Sequence, residues 1–358
     1  MMNLVIGIGV VLVLLILFMI FRITTLVSVV KGDEGTDSRN KLNAFLFPVF
    51  CVVALVLFFW YSYVHFDTYV LPVASEHGKV TDSLFWITMA ICVIAFVIIS
   101  IVMFWFTYKY QYDPNRKATF FADSHVLELT WTLVPAAVMA LLIFRGLNTW
   151  NEITGPASKE AVVIELIGQQ FAWTARYPGQ KDEALGKTDF RLIDATNEFG
   201  LDLTDPNSQD DFKAAELHLP VGKEVLLKIR AKDVLHSVYL PHFRVKMDAV
   251  PGMQTVFKFV PTMTTEEMRS KTKNPNFNYE LACAEICGKG HFTMRFPVIV
   301  EDEESYLKWK SAQESWLKQN PDYLKNIPAD KREAAMIRAG ITPDNGSLQQ
   351  GQSVSIAK

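Results

Sequence analysis

The sequence predicts an α + β membrane protein: four N-terminal transmembrane helices, then a β-rich outer domain of sandwich or barrel type. Two observations predict it. Half of the 358 residues are hydrophobic and 20% are charged, with the apolar residues concentrated before about residue 150 and the charge after it. Beyond Trp150 the long apolar runs give way to short alternating ones, the period of a half-buried strand. The net charge of -3, with no basic stripe in the second half, argues against a nucleic-acid partner.

Apolar runs at 4–21, 45–64, 84–108 and 127–147 are each close to the roughly 20 residues needed to cross a bilayer. The first sits where a cleaved signal peptide would, but it has no basic start and no small-residue cleavage site, and Arg22 follows it. It therefore reads as a retained span. Arg22, Lys31, Arg39 and Lys41 follow the first span and Lys109, Arg116 and Lys117 the third, whereas the loop after the second offers only Lys79. Cytoplasmic loops carry the excess of Lys and Arg, which places the C-terminal half on the outer side. Trp60, Tyr61, Tyr63, Trp86, Trp105, Tyr108 and Trp150 lie near span ends, where aromatic belts form. Cys51 and Cys92, inside apolar runs, read as small buried hydrophobes. Glu128 falls at the cytoplasmic start of the fourth span. It has two readings: a solvated interfacial carboxylate favoured by the helix dipole, or a functional group, since ionisable side chains at membrane depth mark proton or ion paths.

In the outer domain, Val162, Ile164 and Leu166 share one strand face and Val225, Leu227 and Ile229 another, with further strand-like runs at 255–260, 278–282 and 294–300. Gly, Pro and Asn punctuation between short strands predicts a sandwich or barrel. The polar, Asp-rich segment 178–211 reads as a solvated surface insertion, since it lacks the Gly and Glu spacing of a calcium loop. An amphipathic helix is expected over 305–317, on Tyr306, Trp309 and Trp316, followed by a polar tail to Lys358 that is disordered or ordered only on a partner.

The chemistry concentrates in Cys283-Ala-Glu-Ile-Cys287-Gly-Lys-Gly-His291-Phe-Thr-Met294. Two thiols, an imidazole and a thioether within a dozen residues are soft or borderline ligands that favour copper. Gly288 and Gly290 permit the positive φ of a wrapping loop and argue against one helical face. A disulfide, or two idle thiols beside a core Met, is the plainer alternative. His236, in Asp233-Val-Leu-His236-Ser at the end of an expected strand, supplies a second imidazole. One thiolate with two imidazoles suits a mononuclear blue-copper site. Two thiolates, two imidazoles and a thioether instead suit two coppers bridged by the thiolates, an electron-transfer site with no open position for substrate.

The run Cys283-x-Glu285-x-Cys287-Gly-x-x-His291-x-x-Met294, with Asp233-Val-Leu-His236-Ser and Lys246-Met-Asp248-Ala-Val-Pro-Gly252 before it, resembles subunit II of haem-copper cytochrome c oxidase over roughly 84–300. The resemblance implies a cupredoxin-like Greek-key β-sandwich carrying the dinuclear copper centre CuA. Cys283 and Cys287 would bridge, His236 and His291 would be terminal ligands, and Met294 and the Glu285 carbonyl would be weak axial ligands. The Glu285 side chain would reach a magnesium ion at the border with subunit I, and Glu128 would match the acidic residue at the mouth of a proton channel. The implied organisation is an additional two-helix region at 1–83, the family's hairpin at 84–150, a CuA domain at 151–302 with an acidic insertion near 178–215, and a helix and polar tail at 303–358. It implies a subunit of a proton-translocating oxidoreductase in a bacterial inner membrane, its copper domain periplasmic. Oxygen chemistry would lie in subunit I and the electrons would come from a c-type cytochrome.

Three features depart from the common pattern. Two spans are additional, and no Cys-x-x-Cys-His for a fused haem occurs. The family's Gly-x-Gln-Trp-x-Trp reads Gly168-Gln-Gln170-Phe171-Ala-Trp173. Phe171 thus stands at the family's electron-entry tryptophan, with Trp173 beside it, which suggests a membrane-held cytochrome c or a haem subunit of a neighbouring complex as donor. A quinol oxidase subunit lacks these ligands, and a soluble nitrous oxide reductase lacks the spans. A copper subunit of a nitric oxide reductase would carry the same residues, the difference lying in its catalytic subunit. A membrane-tethered copper carrier needs a more exposed site than one drawn from two separate segments.

Overall fold

The computed structural model describes residues 2–30, 36–113, 115–180 and 184–342. Four long helices come first: α1 (Met2–Val30), α2 (Thr36–Val64), α3 (Glu76–Lys109) and α4 (His125–Thr154). Among the described residues, Asn40–Val64, Glu76–Lys109 and His125–Thr154 are long and apolar enough to cross a membrane, and α1 contributes a shorter apolar stretch, Val11–Val27. The chain divides into two compact units, Met1–Tyr69 with Ile87–Val134, and Val70–Trp86 with Pro135–Lys358.

In the first unit α2 and α3 run antiparallel, as the ring pairs Phe47–Phe104 (6.1 Å) and Phe58–Phe96 (6.1 Å) record. Most apolar side chains here are exposed, as lipid-facing surfaces require. Cys51 is buried as expected; Cys92 is exposed, a correction that follows from its place on the outward face of α3.

The second unit is a two-sheet sandwich. Its strands are β1 (Val162–Gln169), β2 (Ala172–Tyr177), β3 (Phe212–Ala214), β4 (Leu217–Pro220), β5 (Val225–Ala231), β6 (His236–Leu240), β7 (Val245–Ala249), β8 (Thr255–Phe259), β9 (Tyr279–Cys283) and β10 (Arg295–Glu301). The sheet orders are β3-β2-β1-β5-β8 and β4-β10-β9-β6-β7, with β1/β5 and β4/β10 parallel and the remaining pairs antiparallel. Alternation decides the core. Ile164, Leu166, Leu227 and Ile229 from one sheet meet Val238, Leu240, Leu281 and Val298 from the other, all fully buried. Each such side chain contributes about 1.5–3 kcal/mol by leaving water. His236 begins β6 instead of ending a strand, because the polar Lys232-Asp233 turn precedes the pairing of His236 with Ala249.

The outer face of β1, β2 and β5 is covered, which the sequence did not suggest. The insertion is no merely solvated loop: Phe199, Leu201 and Leu203 pack with Trp316, Leu317, Ile327, Ala335 and Ala339 around Ile167 in a second apolar cluster. The expected helix over 305–317 is two pieces, Glu303–Ser311 and Trp316–Gln319, and the chain continues to a helix at Arg332–Ala339. The tail is therefore folded as far as residue 342; its remaining residues lie outside those described, as do 181–183 of the insertion. Beneath this cap lies a buried ionic network. Arg176 pairs with Glu165 (2.5 Å) and Asp211 (2.5 Å), and Arg230 with Glu165 (2.6 Å). Burial pushes the Asp211 carboxyl up to about 7, against the pull of Arg176. At the rim, Arg338 donates to Asp210 (2.9 Å) and Tyr323 to Asp194 (2.7 Å).

Candidate metal centre

The loop between β9 and β10 leaves and re-enters one sheet through adjacent strands. Cys283 closes β9, and its N–H donates to the Met294 carbonyl at 3.1 Å, so the two ends of the loop face each other. Gly288, at φ 137°, adopts a conformation that side chains disfavour. A single 3-10 turn at His291–Thr293 then folds the chain back. Across the sheet, β6 pairs with β9 at Val238↔Cys283, which sets the fully buried His236 beside the loop.

This geometry gathers the donor atoms that the sequence singled out. The two sulfurs lie 3.9 Å apart. His236 Nδ1 is 3.9 Å from Cys283 Sγ, and His291 Nδ1 is 3.7 Å from Cys287 Sγ. Met294 Sδ is 3.9 Å from Cys287 Sγ, and the Glu285 carbonyl is 3.2 Å from Cys283 Sγ. Both cysteines are free thiols, and their separation is far beyond the roughly 2.05 Å of a disulfide. His236, Cys283 and Cys287 present ligand atoms within 4.8 Å of one another.

The surroundings select a ligand form for His236. Its Nε2 lies 2.8 Å from Asp233 Oδ1. Burial alone would raise the Asp233 carboxyl, but the Gln170 N–H and His236 outweigh it and hold the group below the ordinary range. An ionised carboxylate only accepts, so Nε2 donates to it, and in the neutral ring this leaves the Nδ1 lone pair facing the sulfur. A carboxylate behind an imidazole in this way fixes tautomer and ring orientation in metal sites. Burial, reinforced by the neighbouring Cys283, pushes the Cys287 thiol up to about 11. The Cys287 thiol therefore resists ionisation unless a cation joins it, because metal coordination removes the thiol proton outright. The donor set, soft sulfur with imidazole and no carboxylate oxygen among the close ligand atoms, fits copper.

The remaining candidates are spread out. Trp173 is 4% exposed, its ring 5.9 Å from that of His236 and edge-on to it. Phe171 is 37% exposed and lies over the loop; a Cβ on Gly290 would come within 2.6 Å of its ring. The Glu285 side chain is exposed. Glu128 is not among the gathered residues: it sits in the first turn of α4, 3.6 Å from His125 Nδ1 and half exposed. Sequence reading assigned no role to Asp233 or Gln170. The first had a signal, a carboxylate three residues before a ligand histidine, while the second acts across long sequence distances.

Two family models match. One, described as cytochrome c oxidase subunit II, periplasmic domain, covers residues 162–302; the other, cytochrome c oxidase subunit II, transmembrane domain, covers 60–148. An alternative cytochrome c oxidase subunit 2 of Bradyrhizobium diazoefficiens is 35% identical over 253 residues, spanning 68% of this chain and 84% of the relative. A cytochrome c oxidase subunit 2 of Thermostichus vulcanus is 29% identical over 286 residues, 72% of this chain and 82% of that one. Among solved structures, the periplasmic domain of subunit II of cytochrome oxidase from Bradyrhizobium japonicum aligns with a TM-score of 0.28 at 22% identity, over 44% of this chain and 95% of that one.

Proposed function

The chain belongs to the cytochrome c oxidase subunit II family, and from that premise we infer that it is the electron-accepting subunit of a membrane-bound haem-copper oxidase. It takes single electrons at its outer domain and passes them to haem in subunit I, where oxygen is reduced with proton pumping. Cys283, Cys287, His236 and His291 would hold a dinuclear copper centre, with Met294 and the Glu285 carbonyl as further donors, and it would supply one-electron chemistry there. The observation that carries this reading is the pair of sulfurs 3.9 Å apart with an imidazole Nδ1 facing each one, at 3.9 and 3.7 Å. The ligand atoms that lie within 4.8 Å of one another are those of His236, Cys283 and Cys287; a single metal among these three would leave His291 unused, whereas two metals use both imidazoles.

When bound, the copper pair supplies a one-electron centre whose charge is spread over both ions. The chain's own residues orient that centre and shield it on the core side. Asp233 fixes the His236 ring, Trp173 and the buried β6 strand exclude water on the core side, and Phe171 lies over the loop glycines on the other. Little then reorganises when an electron enters or leaves. The exposed Glu285 side chain is suited to a magnesium ion at the border with subunit I, and Glu128 to proton entry from the cytoplasmic side. With Phe171 at the position of electron entry, the donor is a c-type cytochrome held at the membrane or within a neighbouring complex. The basic residues after the first and third spans support a cytoplasmic side for those connections, and with it a periplasmic copper domain in a bacterial inner membrane. Copper quantitation with EPR on the purified full-length protein tests the reading. Two coppers per chain sharing one unpaired electron are expected; one copper per chain, or the hyperfine pattern of a single nucleus, overturns it.

A further inference from the structure

Gln170 touches both segments that supply ligands, although it lies 63 residues before Asp233 and 117 before Cys287. It sits in the turn between β1 and β2. Its backbone N–H donates to Asp233 Oδ2 at 2.7 Å, and its side-chain Nε2 donates to the Cys287 carbonyl at 2.6 Å. Asp233 in turn accepts from His236 Nε2 at 2.8 Å through its other oxygen. One residue is thus joined to the carboxylate that sets the rotation of one imidazole and to the peptide that carries one thiol.

The loop has few other means of holding that peptide. Gly288 and Gly290 follow it, and Ile286 and Phe292 are 85% and 76% exposed, so these side chains do not anchor it to the sandwich. On the side of the β1–β2 turn the contact is close: a Cβ on Gly288 would meet Gln170 Nε2 at 2.9 Å and the Phe171 ring at 3.1 Å. The neighbouring Gln169 faces away and reaches Glu198 at 3.4 Å, in the cap.

We propose that Gln170 is a positioning residue of the metal centre, its side-chain amide holding Cys287 at the spacing from Cys283 that two shared metals need. The inference rests on the copper reading of the loop. Partners that orient ligands typically govern metal affinity by about 10–100-fold, so removing the amide acts on retention and redox properties while the ligands remain.

The test compares full-length Gln170→Leu and Gln170→Glu, neither of which can donate to the carbonyl, with Gln169→Leu as a control in the same turn. Copper release to a chelator, the reduction potential and the EPR spectrum are measured on the loaded proteins. Alkylation of Cys287 is followed by mass spectrometry on metal-free protein. Both Gln170 variants are expected to lose copper about tenfold faster, to shift the potential and spectrum, and to expose Cys287 to alkylation several-fold sooner, with Gln169→Leu matching wild type. Wild-type behaviour of both Gln170 variants, or equal changes in the Gln169 control, overturns the proposal. Should one Gln170 variant fail to fold, the other decides. A wild-type protein holding other than two coppers sinks the copper reading instead, and the alkylation comparison still tests the hold on Cys287.

Discussion

Two of the places where the outer unit buries polar side chains satisfy them in opposite ways. Under the cap, charge answers charge: Glu165 is 1% exposed, Arg176 4% and Asp211 0%, and each meets an opposite charge within the chain. At the loop between β9 and β10, the sulfurs and imidazole Nδ1 atoms face one another at 3.7–3.9 Å, too far for strong hydrogen bonds and with no cationic side chain among them. The first site finds its opposite charges within the chain, although Asp211 Oδ1 accepts no hydrogen bond there. The second is a set of soft donors whose buried Cys287 thiol keeps its proton unless a cation joins it, and this is what separates a structural network from a candidate ligand site.

That contrast predicts different failures. Cys287→Ser removes the sulfur at the centre of the cluster, the one near Cys283, His291 and Met294 alike. Loss of the paired-copper signal and of electron acceptance should be complete, while the sandwich keeps its thermal stability apart from the contribution of bound metal. Copper analysis, EPR and calorimetry on one preparation check this. Retention of a dinuclear signal would break the comparison at its metal end.

Arg176→Ala should do the reverse. Removing one partner of a buried ion pair costs about 3–5 kcal/mol. Here the lower end applies, because Glu165 keeps Arg230 and Asp211 keeps the Gly186 N–H at 3.1 Å. Calorimetry should show the destabilisation, and proteolysis should cut within 315–342 sooner. The copper spectrum should not change; a changed spectrum would mean that cap and centre are one cooperative device.

Legibility follows the same division. The ligand loop could be read because four of its donors lie within a dozen residues, and metal chemistry constrains both type and spacing. Strands such as β1 and β5 could be read because their inward faces alternate. The cap could not. Ile327, Ala335 and Ala339 are too sparse to signal a core, and their partners Phe199, Leu201 and Leu203 lie more than a hundred residues away. Glu165 and Arg176 are covered and paired with each other, a burial that no apolar pattern announces. Gln170 was invisible for a related reason: an amide shows its role only when its acceptor, 117 residues on, is seen beside it.

The finest test of the comparison is pH. The Asp211 carboxyl holds its proton to about 7 in the folded chain, through burial, against 3.8 when solvated. The folded form therefore binds more protons between those values. The stability contributed by this group is full below about 3.8 and is lost as pH rises through about 7. Each tenfold difference in proton affinity between folded and unfolded chain is worth about 1.4 kcal/mol. The cap should therefore loosen by on the order of 2 kcal/mol between about pH 5 and about pH 8. Asp211→Asn should flatten that slope, since an amide keeps the shape and cannot titrate. Hydrogen exchange of the 315–342 amides at the two pH values measures it. The copper spectrum should be the same in variant and wild type at each pH, because Asp211 answers to Arg176 and the Gly186 N–H, and neither supplies a donor to the metal loop.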